Sequence, residues 1–344
     1  MPVDTAQFEF FLSEAREIVL IGHFNPDGDA IGSVTAAWHY LKARGKQAHI
    51  ILPSPHPRNL SFLEPEEDGI LICEQQPEEA RRLVAEADLL VCLDFNRLAR
   101  TEYLEEAILA SPARKILIDH HIEAESDRFD LVFNTIAVSS TCELLFWILL
   151  AMPDVAGDPQ RIPLRCAESL YVGMMTDTNN FSNSVFPGTF EMASKLIARG
   201  VDKDGLQEKV LNCHSVSRTR LMGHMIKDKM VVLPRFQAAY MLLSNKEKQR
   251  YCFQPGDSEG FVNLPLAIRD VQISALFTES PDGKYIRVSL RSKSRVNVNR
   301  LAARFFHGGG HRNASGGRLY IPLEEVPAYF EKALAAYTDE EKFS

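Results

Sequence analysis

The sequence predicts an α/β fold, with a doubly wound and mostly parallel sheet in a first domain and a second, smaller α+β domain after it. Three observations support this prediction. From Glu17 to about Thr178, short runs of apolar residues alternate with helical patterns, as they do in βαβ units. At 344 residues the chain is longer than a single hydrophobic core usually requires. Beyond Met230 the pattern changes to strands joined by turns.

The strands predicted in the first domain are apolar at nearly every position, which suits strands covered by helices on both faces. They are 18–22, 47–53, 69–73, 88–94, 115–119 and 169–177. Around Phe190 the sequence becomes helical and more charged, and Gly200 is a plausible helix end. We therefore expect a first domain over residues 1–200, a helical connector over 201–230 and a second domain over 231–344.

The second domain is expected to be built from strands and hairpins. Its predicted strands lie within 230–244, 271–280, 284–293 and 318–323. The tripeptide Pro281-Asp282-Gly283 has the residues of a tight turn between two of these strands. A helical pattern over 297–306 precedes a glycine-rich stretch.

The composition is that of an ordinary globular protein, with 45% hydrophobic and 24% charged residues. A formal net charge of -8 at pH 7 argues against a broad basic surface for long nucleic acids, and it favours small anionic substrates. The six cysteines show no C-x-x-C spacing and are expected to be free thiols. The chain begins without a signal-peptide pattern, and its longest apolar run, 144–152, is too short to cross a bilayer. We expect a cytoplasmic protein that does not bind membranes.

Side chains that bind metal ions follow four of the predicted apolar runs. They are His23, Asp27, Asp29, Asp94, Asp119, His120, His121 and Asp177. The carboxyl ends of parallel strands meet at one crevice, so these distant residues are expected to become neighbours. Grouped carboxylates repel one another unless a cation neutralises them. Oxygen and imidazole donors without cysteine favour Mn²⁺ or Mg²⁺ over structural zinc.

The number of candidate ligands indicates two ions rather than one. Two divalent ions about 3.5 to 4 Å apart can activate a bridging water and stabilise the charge of a phosphoryl group. The predicted chemistry is therefore phosphoester hydrolysis. The loop after the first strand lacks the G-x-G-x-x-G pattern of dinucleotide-binding folds, which disfavours NAD.

The glycine-rich stretch HGGGHRNASGG, residues 307–317, is a candidate anion site in the second domain. Successive glycines let backbone N–H groups approach a phosphate, and His311 and Arg312 can add donors. Arg291 and Lys293 lie near a predicted strand end and are candidates for the same pocket. The alternative is a glycine helix cap followed by a flexible loop.

Five motifs, in this order, give the chain a resemblance to the DHH/DHHA1 phosphoesterases, and in particular to the nanoRNase/pAp-phosphatase type. They are HFNPDGDAIGS, LDFN, IDHH, GMMTDTNNF and GGGHRNASGG. The resemblance implies a DHH catalytic domain followed by a DHHA1 substrate-binding domain. It also implies a homodimer.

The resemblance further implies a role for each motif residue. One Mn²⁺ would be bound by His23, Asp27 and Asp94, and a second by Asp29, Asp94, His120 and Asp177, so that Asp94 bridges the two; Mg²⁺ is the alternative metal. Of the two catalytic candidates, Asp119 would orient a histidine ligand and His121 would contact the scissile phosphate. The substrate-binding candidates are Arg291, Gly308, Gly309, Gly310 and His311.

The expected activity is metal-dependent hydrolysis of short oligoribonucleotides to mononucleotides, and of 3'-phosphoadenosine 5'-phosphate to AMP. One alternative is a phosphodiesterase for pApA or cyclic di-AMP. Another is an exopolyphosphatase or inorganic pyrophosphatase, since related proteins share the metal site, although the glycine-rich stretch favours nucleotides. A non-catalytic nucleotide sensor is the alternative outside enzymology, and the complete ligand set argues against it.

Overall fold

The structure, a computed structural model, describes residues 5–293 and 295–337. The chain divides into two compact units, Met1–Cys213 and His214–Ser344. This division falls within the predicted connector, whose residues are therefore shared between the two units. The outer ends of the predicted domains, residues 1 and 344, lie outside the described residues. Across the described part of the chain, no helix combines the length and the apolar character needed to span a bilayer.

The first unit contains a six-stranded parallel sheet in the order β3-β2-β1-β4-β5-β6. Its strands are Glu17–Ile21 (β1), Gln47–Leu52 (β2), Leu71–Ile72 (β3), Leu89–Leu93 (β4), Arg114–Asp119 (β5) and Leu131–Asn134 (β6). Its helices are Ala6–Glu14 (α1), Gly28–Ala43 (α2), Pro77–Glu86 (α3), Glu105–Ala110 (α4), Thr141–Ala151 (α5), Leu164–Asp177 (α6), Pro187–Arg199 (α7) and Lys203–Leu211 (α8). The predicted doubly wound α/β fold is confirmed.

Hydrophobic cores lie on both faces of this sheet, as the strand sequences predict. Along β1, Ile18 and Leu20 pack into the core that includes residues of α1, α2, α5 and α6, while Val19 and Ile21 pack into the core that includes residues of α3 and α4. Every residue of the central strand β4 is buried. Burial on two faces explains why these strands read as continuous apolar runs.

The strand predicted over 169–177 is wrong, because these residues form the second half of helix α6. Its residues 169–175 are all buried. A helix covered on most sides has no polar stripe, so its sequence is hard to distinguish from that of a buried strand. Strand β6 was not predicted; its residues are half-buried or exposed at the edge of the sheet.

Helices α2 and α6 pack closely because glycines face the contact. A Cβ atom on Gly28 would lie 2.2 Å from Oγ1 of Thr176, and one on Gly173 would lie 2.2 Å from Sγ of Cys142 in α5. Neither position has space for a larger side chain. The close approach brings the first turn of α2 beside the last turn of α6.

The second unit contains a mixed six-stranded sheet in the order β11-β12-β10-β9-β8-β7, in which only β8 and β9 pair in parallel. The strands are Val231–Leu233 (β7), Ala238–Leu243 (β8), Ile273–Glu279 (β9), Ile286–Ser292 (β10), Gly309–Gly310 (β11) and Ala314–Leu319 (β12). The helices are Val216–His224 (α9), Asn245–Arg250 (α10), Val298–Phe305 (α11) and Val326–Ala336 (α12). The predicted second α+β domain is confirmed.

Helices α11 and α12 cover one face of this sheet around Phe277, Phe306 and Phe330. On the other face, α9 and Phe261 cover Met241 of β8 and Leu276 of β9. The glycine-rich stretch, for which a flexible loop was the alternative interpretation, folds into the hairpin of β11 and β12. The predicted strand at 318–323 begins earlier, within that stretch, and ends at Leu319.

Candidate metal centre

The predicted metal ligands of the first unit come together at the carboxyl edge of its sheet. His23 follows β1, Asp94 follows β4, and His120 follows β5. Asp27 caps the N-terminus of α2, where its Oδ1 accepts hydrogen bonds from the N–H groups of Asp29 and Ala30 at 3.1 and 3.2 Å. Strand direction therefore places residues that are more than 90 positions apart in one cluster.

The first ligand group consists of His23, Asp27 and Asp94, which can each offer one atom to a common ion. Nε2 of His23 lies 3.5 Å from Oδ2 of Asp94 and 3.9 Å from Oδ1 of Asp27. Nδ1 of His23 lies 2.9 Å from the carbonyl oxygen of Phe24, which can only accept a hydrogen bond. Nδ1 thus donates to this carbonyl, and Nε2 is the nitrogen that faces the carboxylates and can serve as a metal ligand.

The second ligand group consists of Asp29, Asp94 and His120, so Asp94 belongs to both groups. Nε2 of His120 lies 3.7 Å from Oδ1 of Asp94 and 3.9 Å from Oδ2 of Asp29. It also lies 3.6 Å from Oδ2 of Asp177, which reaches the cluster from the end of α6 rather than from a strand. The two oxygens of Asp94 therefore face different histidines.

Asp94 adopts a strained backbone conformation, with a φ of 68°. Left-handed conformations are uncommon for residues other than glycine, and they concentrate at functional sites. Its N–H donates a hydrogen bond to the carbonyl oxygen of Ile118 in the neighbouring strand β5, at 3.0 Å. The turn after β4 is thereby held to the adjacent strand, with the carboxylate directed into the cluster.

The N-terminus of helix α5 supports two of these carboxylates, a feature that the sequence analysis missed. Asp29 accepts hydrogen bonds from the backbone N–H groups of Thr141 at 2.6 Å and Cys142 at 2.9 Å. The Thr141 hydroxyl donates a hydrogen bond to Oδ1 of Asp94 at 3.0 Å. Helix N-termini favour anions, so α5 stabilises the charge as well as the orientation of Asp29. The sequence signal was Ser140, which caps α5.

Asp119 contacts His121, which follows it by two residues. Its Oδ1 accepts a hydrogen bond from Nδ1 of His121 at 2.6 Å, and its Oδ2 accepts one from the side-chain amide of Asn134 at 3.1 Å. Nη1 of Arg100 lies 3.2 Å from Nε2 of His121. Arg100 and Asn134 were not predicted from the sequence. The arrangement holds the His121 ring by both nitrogens at the edge of the cluster.

The carboxylates of this cluster repel one another, and this repulsion adds to the effect of burial on the pKa of Asp29. Burial, together with the charges of Asp94, Asp177 and Asp27, raises the pKa of Asp29 well above its usual value. Burial also acts to raise the pKa of Asp94, but the neighbouring histidines, His23 first, lower it below its usual value. Burial lowers the pKa of His120.

His121 behaves differently from His120. Burial, the largest single influence, disfavours its charged form, but the hydrogen bond to Asp119 and the negative charges of Asp94 and Asp119 together outweigh burial and raise the pKa of His121. The lowered pKa of His120 favours the neutral imidazole that a metal ion binds. The hydrogen bond from His121 to Asp119 favours a charged imidazole, which can bind an anion.

The donor set fits two divalent cations. Ligand atoms that share an ion about 2.1 Å away lie about 3 to 4 Å from one another, and the atoms of the two groups are 3.5 to 3.9 Å apart. A hydrogen bond would require shorter distances. Carboxylate oxygens with single imidazoles are ligands that Mn²⁺ and Mg²⁺ accept.

The predicted substrate-binding residues of the second unit cluster at the turn of the β11–β12 hairpin. Arg291 lies directly opposite Ala314 in the ladder, next to the turn that contains His311. The N–H of His311 donates a hydrogen bond to the carbonyl oxygen of Ala314 at 2.8 Å, which tightens this turn. Gly308 has no space for a side chain, because its Cβ would lie 1.8 Å from the carbonyl oxygen of Gly316. Gly309 and Gly310 form β11 and are exposed.

Comparison with known protein families decides the classification. The N-terminal domain of the DHH family matches residues 17–174, and the DHHA1 domain matches residues 238–339. The chain belongs to the DHH/DHHA1 phosphoesterases. The first match covers the sheet and all the proposed metal ligands except Asp177, and the second covers most of the sheet in the second unit. The resemblance inferred from the motifs is confirmed, and the chain is a phosphoesterase of a metal-dependent family.

Among related proteins, a probable bifunctional oligoribonuclease and PAP phosphatase, NrnA, of Streptococcus mutans is 27% identical over 91% of this chain and 93% of its own. The cyclic-di-AMP phosphodiesterase GdpP of Geobacillus thermodenitrificans is 24% identical over 95% of this chain, which spans 48% of that protein. A solved structure of an exopolyphosphatase-related protein from Bacteroides fragilis is 39% identical, covers 96% of this chain and superposes with a TM-score of 0.90.

Proposed function

We propose that this protein hydrolyses short oligoribonucleotides to mononucleotides and 3'-phosphoadenosine 5'-phosphate to AMP, with two Mn²⁺ ions as its cofactor and Mg²⁺ as the alternative. The observation that carries the proposal is the pair of ligand groups that share Asp94. The near full-length similarity to NrnA, over 93% of its chain, directs the choice of substrate.

In this proposal His23, Asp27 and Asp94 hold one ion, and Asp29, Asp94, His120 and Asp177 hold the other. Bound there, the two ions would lower the pKa of a bridging water and neutralise charge on the phosphoryl group.

The remaining residues of the site bind and orient the substrate. His121, whose Nδ1 is held by Asp119 at 2.6 Å, would donate a hydrogen bond from a protonated Nε2 to an oxygen of the scissile phosphate, and the phosphate would replace that nitrogen as the partner of Arg100. The raised pKa of His121 favours the charged ring that such a donor needs. Arg291, His311 and the hairpin glycines would bind a second phosphate or the other nucleotide of the substrate.

Exopolyphosphatase activity is the second candidate, because the Bacteroides fragilis protein, which is 39% identical, is described as exopolyphosphatase-related. Similarity to the cyclic-di-AMP phosphodiesterase carries less weight, since this chain spans 48% of that protein.

The experiment that separates these candidates is a substrate panel under one condition. The purified protein with Mn²⁺ is incubated separately with a 5'-labelled diribonucleotide, pAp, pApA, cyclic di-AMP, polyphosphate and pyrophosphate. We expect the diribonucleotide and pAp to be hydrolysed fastest. Rapid turnover of polyphosphate or pyrophosphate, with all nucleotides intact, would contradict the proposal. The Asp94→Asn variant, purified in the same way, is the control for a contaminating hydrolase.

A further inference from the structure

We infer that the second unit carries a binding platform for single-stranded oligonucleotides, separate from the phosphate site proposed at Arg291 and His311. The inference extends the proposed function, because it concerns how substrates longer than a dinucleotide are held. The platform consists of Tyr285, Arg287, Arg318 and Tyr320, on the face of β10 and β12 opposite to helices α11 and α12.

Strand register places these four side chains on one face. Along β10 the even-numbered residues are buried against the core of the second unit, whereas Arg287 is exposed. Arg287 lies directly opposite Arg318 of β12. Tyr285 and Tyr320 extend the same two strands by one residue each and meet with ring centroids 6.4 Å apart. The face therefore presents a row of two tyrosines next to a row of two arginines.

The arginine pair is unusual for a solvated sheet surface. Like charges directly opposite each other in a sheet destabilise it, and in the described part of the chain neither guanidinium has an acidic group within 4.0 Å. Burial lowers the pKa of Lys248; the charge of Glu279 opposes this effect, and the charge of Arg287 adds to it. The two facing arginines thus form a local positive charge on a chain whose net charge is -8. A bound anion would remove this repulsion.

Aromatic rings beside the arginines supply surfaces for stacking. Tyr320 is 65% exposed, and the imidazole of His307 lies 6.3 Å from its ring. The Arg318 guanidinium lies 5.1 Å from the centre of the Tyr285 ring, so it is held in place by a cation–π contact. Bases of a single strand stack on such rings without sequence preference, while basic groups follow the backbone phosphates.

A shallow track joins this platform to Arg291. Between Arg287 and Arg291 lies Ser289, and opposite it lies Gly316, so the face carries only small residues there. Arg287 and Arg291 are four residues apart on one strand, which is about 14 Å. A single phosphate does not fill that length. The spacing suits two or three successive nucleotides, and the aromatic row would have no partner in a simple inorganic anion.

The inference is tested with Arg287→Gln/Arg318→Gln and, separately, with Tyr320→Ala and Tyr320→Phe. Arg235→Gln is the matched control, because Arg235 is an exposed arginine between β7 and β8 at the opposite side of the same sheet. Binding of a labelled RNA hexamer with hydrolysis-resistant 2'-O-methyl phosphorothioate linkages is measured by fluorescence anisotropy at several salt concentrations. Hydrolysis of a diribonucleotide is measured in parallel.

We expect the double Gln variant to bind the hexamer at least about tenfold more weakly at low salt, and its salt slope to fall by about 1.4, the value for two lost phosphate contacts on a single strand. Tyr320→Ala should weaken binding and Tyr320→Phe should preserve it. Arg235→Gln should leave binding unchanged. Diribonucleotide hydrolysis should stay within twofold of the wild type in every variant.

Hexamer binding by the double Gln variant at the wild-type level would overturn the inference. A loss of diribonucleotide hydrolysis as large as the loss of hexamer binding would also overturn it, because these residues would then belong to the site at Arg291. Equal competition by a duplex hexamer would also overturn it. If the wild-type protein hydrolyses no nucleotide at all, the proposed function fails, while the binding measurement still decides whether the platform exists.

Discussion

Replacing Thr141 by valine should weaken metal binding although Thr141 is not a proposed ligand. Thr141 donates its hydroxyl to Oδ1 of Asp94 at 3.0 Å, and its backbone N–H donates to Asp29 at 2.6 Å. Valine has nearly the same shape, so it removes the hydroxyl but leaves the backbone hydrogen bond in place. The variant therefore isolates the contact that orients the carboxylate shared by both ligand groups.

Two magnitudes follow from this contact. A buried hydrogen bond to a charged group contributes about 1.5 to 3 kcal/mol to stability, so its loss in a unit of this size lowers Tm by about 3 to 12 °C. Partners that orient metal ligands typically change metal affinity or activity by about 10- to 100-fold. We expect Thr141→Val to show both effects, because Thr141 and Asp94 are fully or almost fully buried.

The assay is calorimetric titration of the metal-free protein with Mn²⁺, together with thermal unfolding. Thr141→Ser, which retains the hydroxyl, is the control and should bind Mn²⁺ nearly as the wild type does. Wild-type Mn²⁺ affinity in Thr141→Val would refute the reasoning that this hydroxyl orients Asp94.

Three further predictions concern the same site. Asp94→Ala should lower turnover by at least about 10³-fold, since the Asp94 carboxylate belongs to both ligand groups. The circular dichroism spectrum of the variant should remain that of a folded protein. Retained turnover would exclude the bridging role of Asp94. Gly173→Ala should destabilise the protein by about 1 to 3 kcal/mol, because the added methyl would lie 2.2 Å from the Cys142 sulfur. Gly223→Ala is the control, because a Cβ atom at Gly223 would meet open space. This control variant should unfold at the wild-type temperature or slightly above it. The pKa of Asp29 is raised in the folded metal-free protein, so the folded protein binds a proton at Asp29 more tightly than the unfolded chain does. This protonation therefore stabilises the fold at pH values below the usual aspartate pKa. The stabilisation is lost as the pH rises through the pKa that Asp29 has in the folded protein. The increase in Tm on adding saturating Mn²⁺ should therefore be larger at pH 8 than at pH 5, and an equal increase at both pH values would contradict this account.

The location of the site followed from the sequence because strand direction is a strong constraint. Residues such as His23 and Asp94 end apolar runs, and parallel strands leave their carboxyl ends no other common place to meet. The error at 169–177 did not displace the site, since Asp177 ends helix α6 and still lies 3.6 Å from His120. The strand and helix interpretations agreed on which end of the segment carries the ligand.

The contacts that hold the ligands could not be predicted in the same way. Nothing in the sequence near Asp29 indicates that its carboxylate accepts hydrogen bonds from Thr141 and Cys142, more than 110 positions away. The distance of closest approach between α2, α5 and α6, set by glycines such as Gly173, decides that contact. Arg100 beside His121 was missed for the same reason.

The sequence by itself determined the fold class, the metal-binding residue types and the edge of the sheet where they gather, because periodicity, strand polarity and ligand chemistry are local properties that any one segment carries. Only the tertiary structure decided which oxygen of Asp94 faces which histidine, that Asp119 holds His121, and that Arg287 faces Arg318 across two strands. These depend on helix packing distances and strand register, which arise from many weak contacts acting together and are not written in any single stretch of residues.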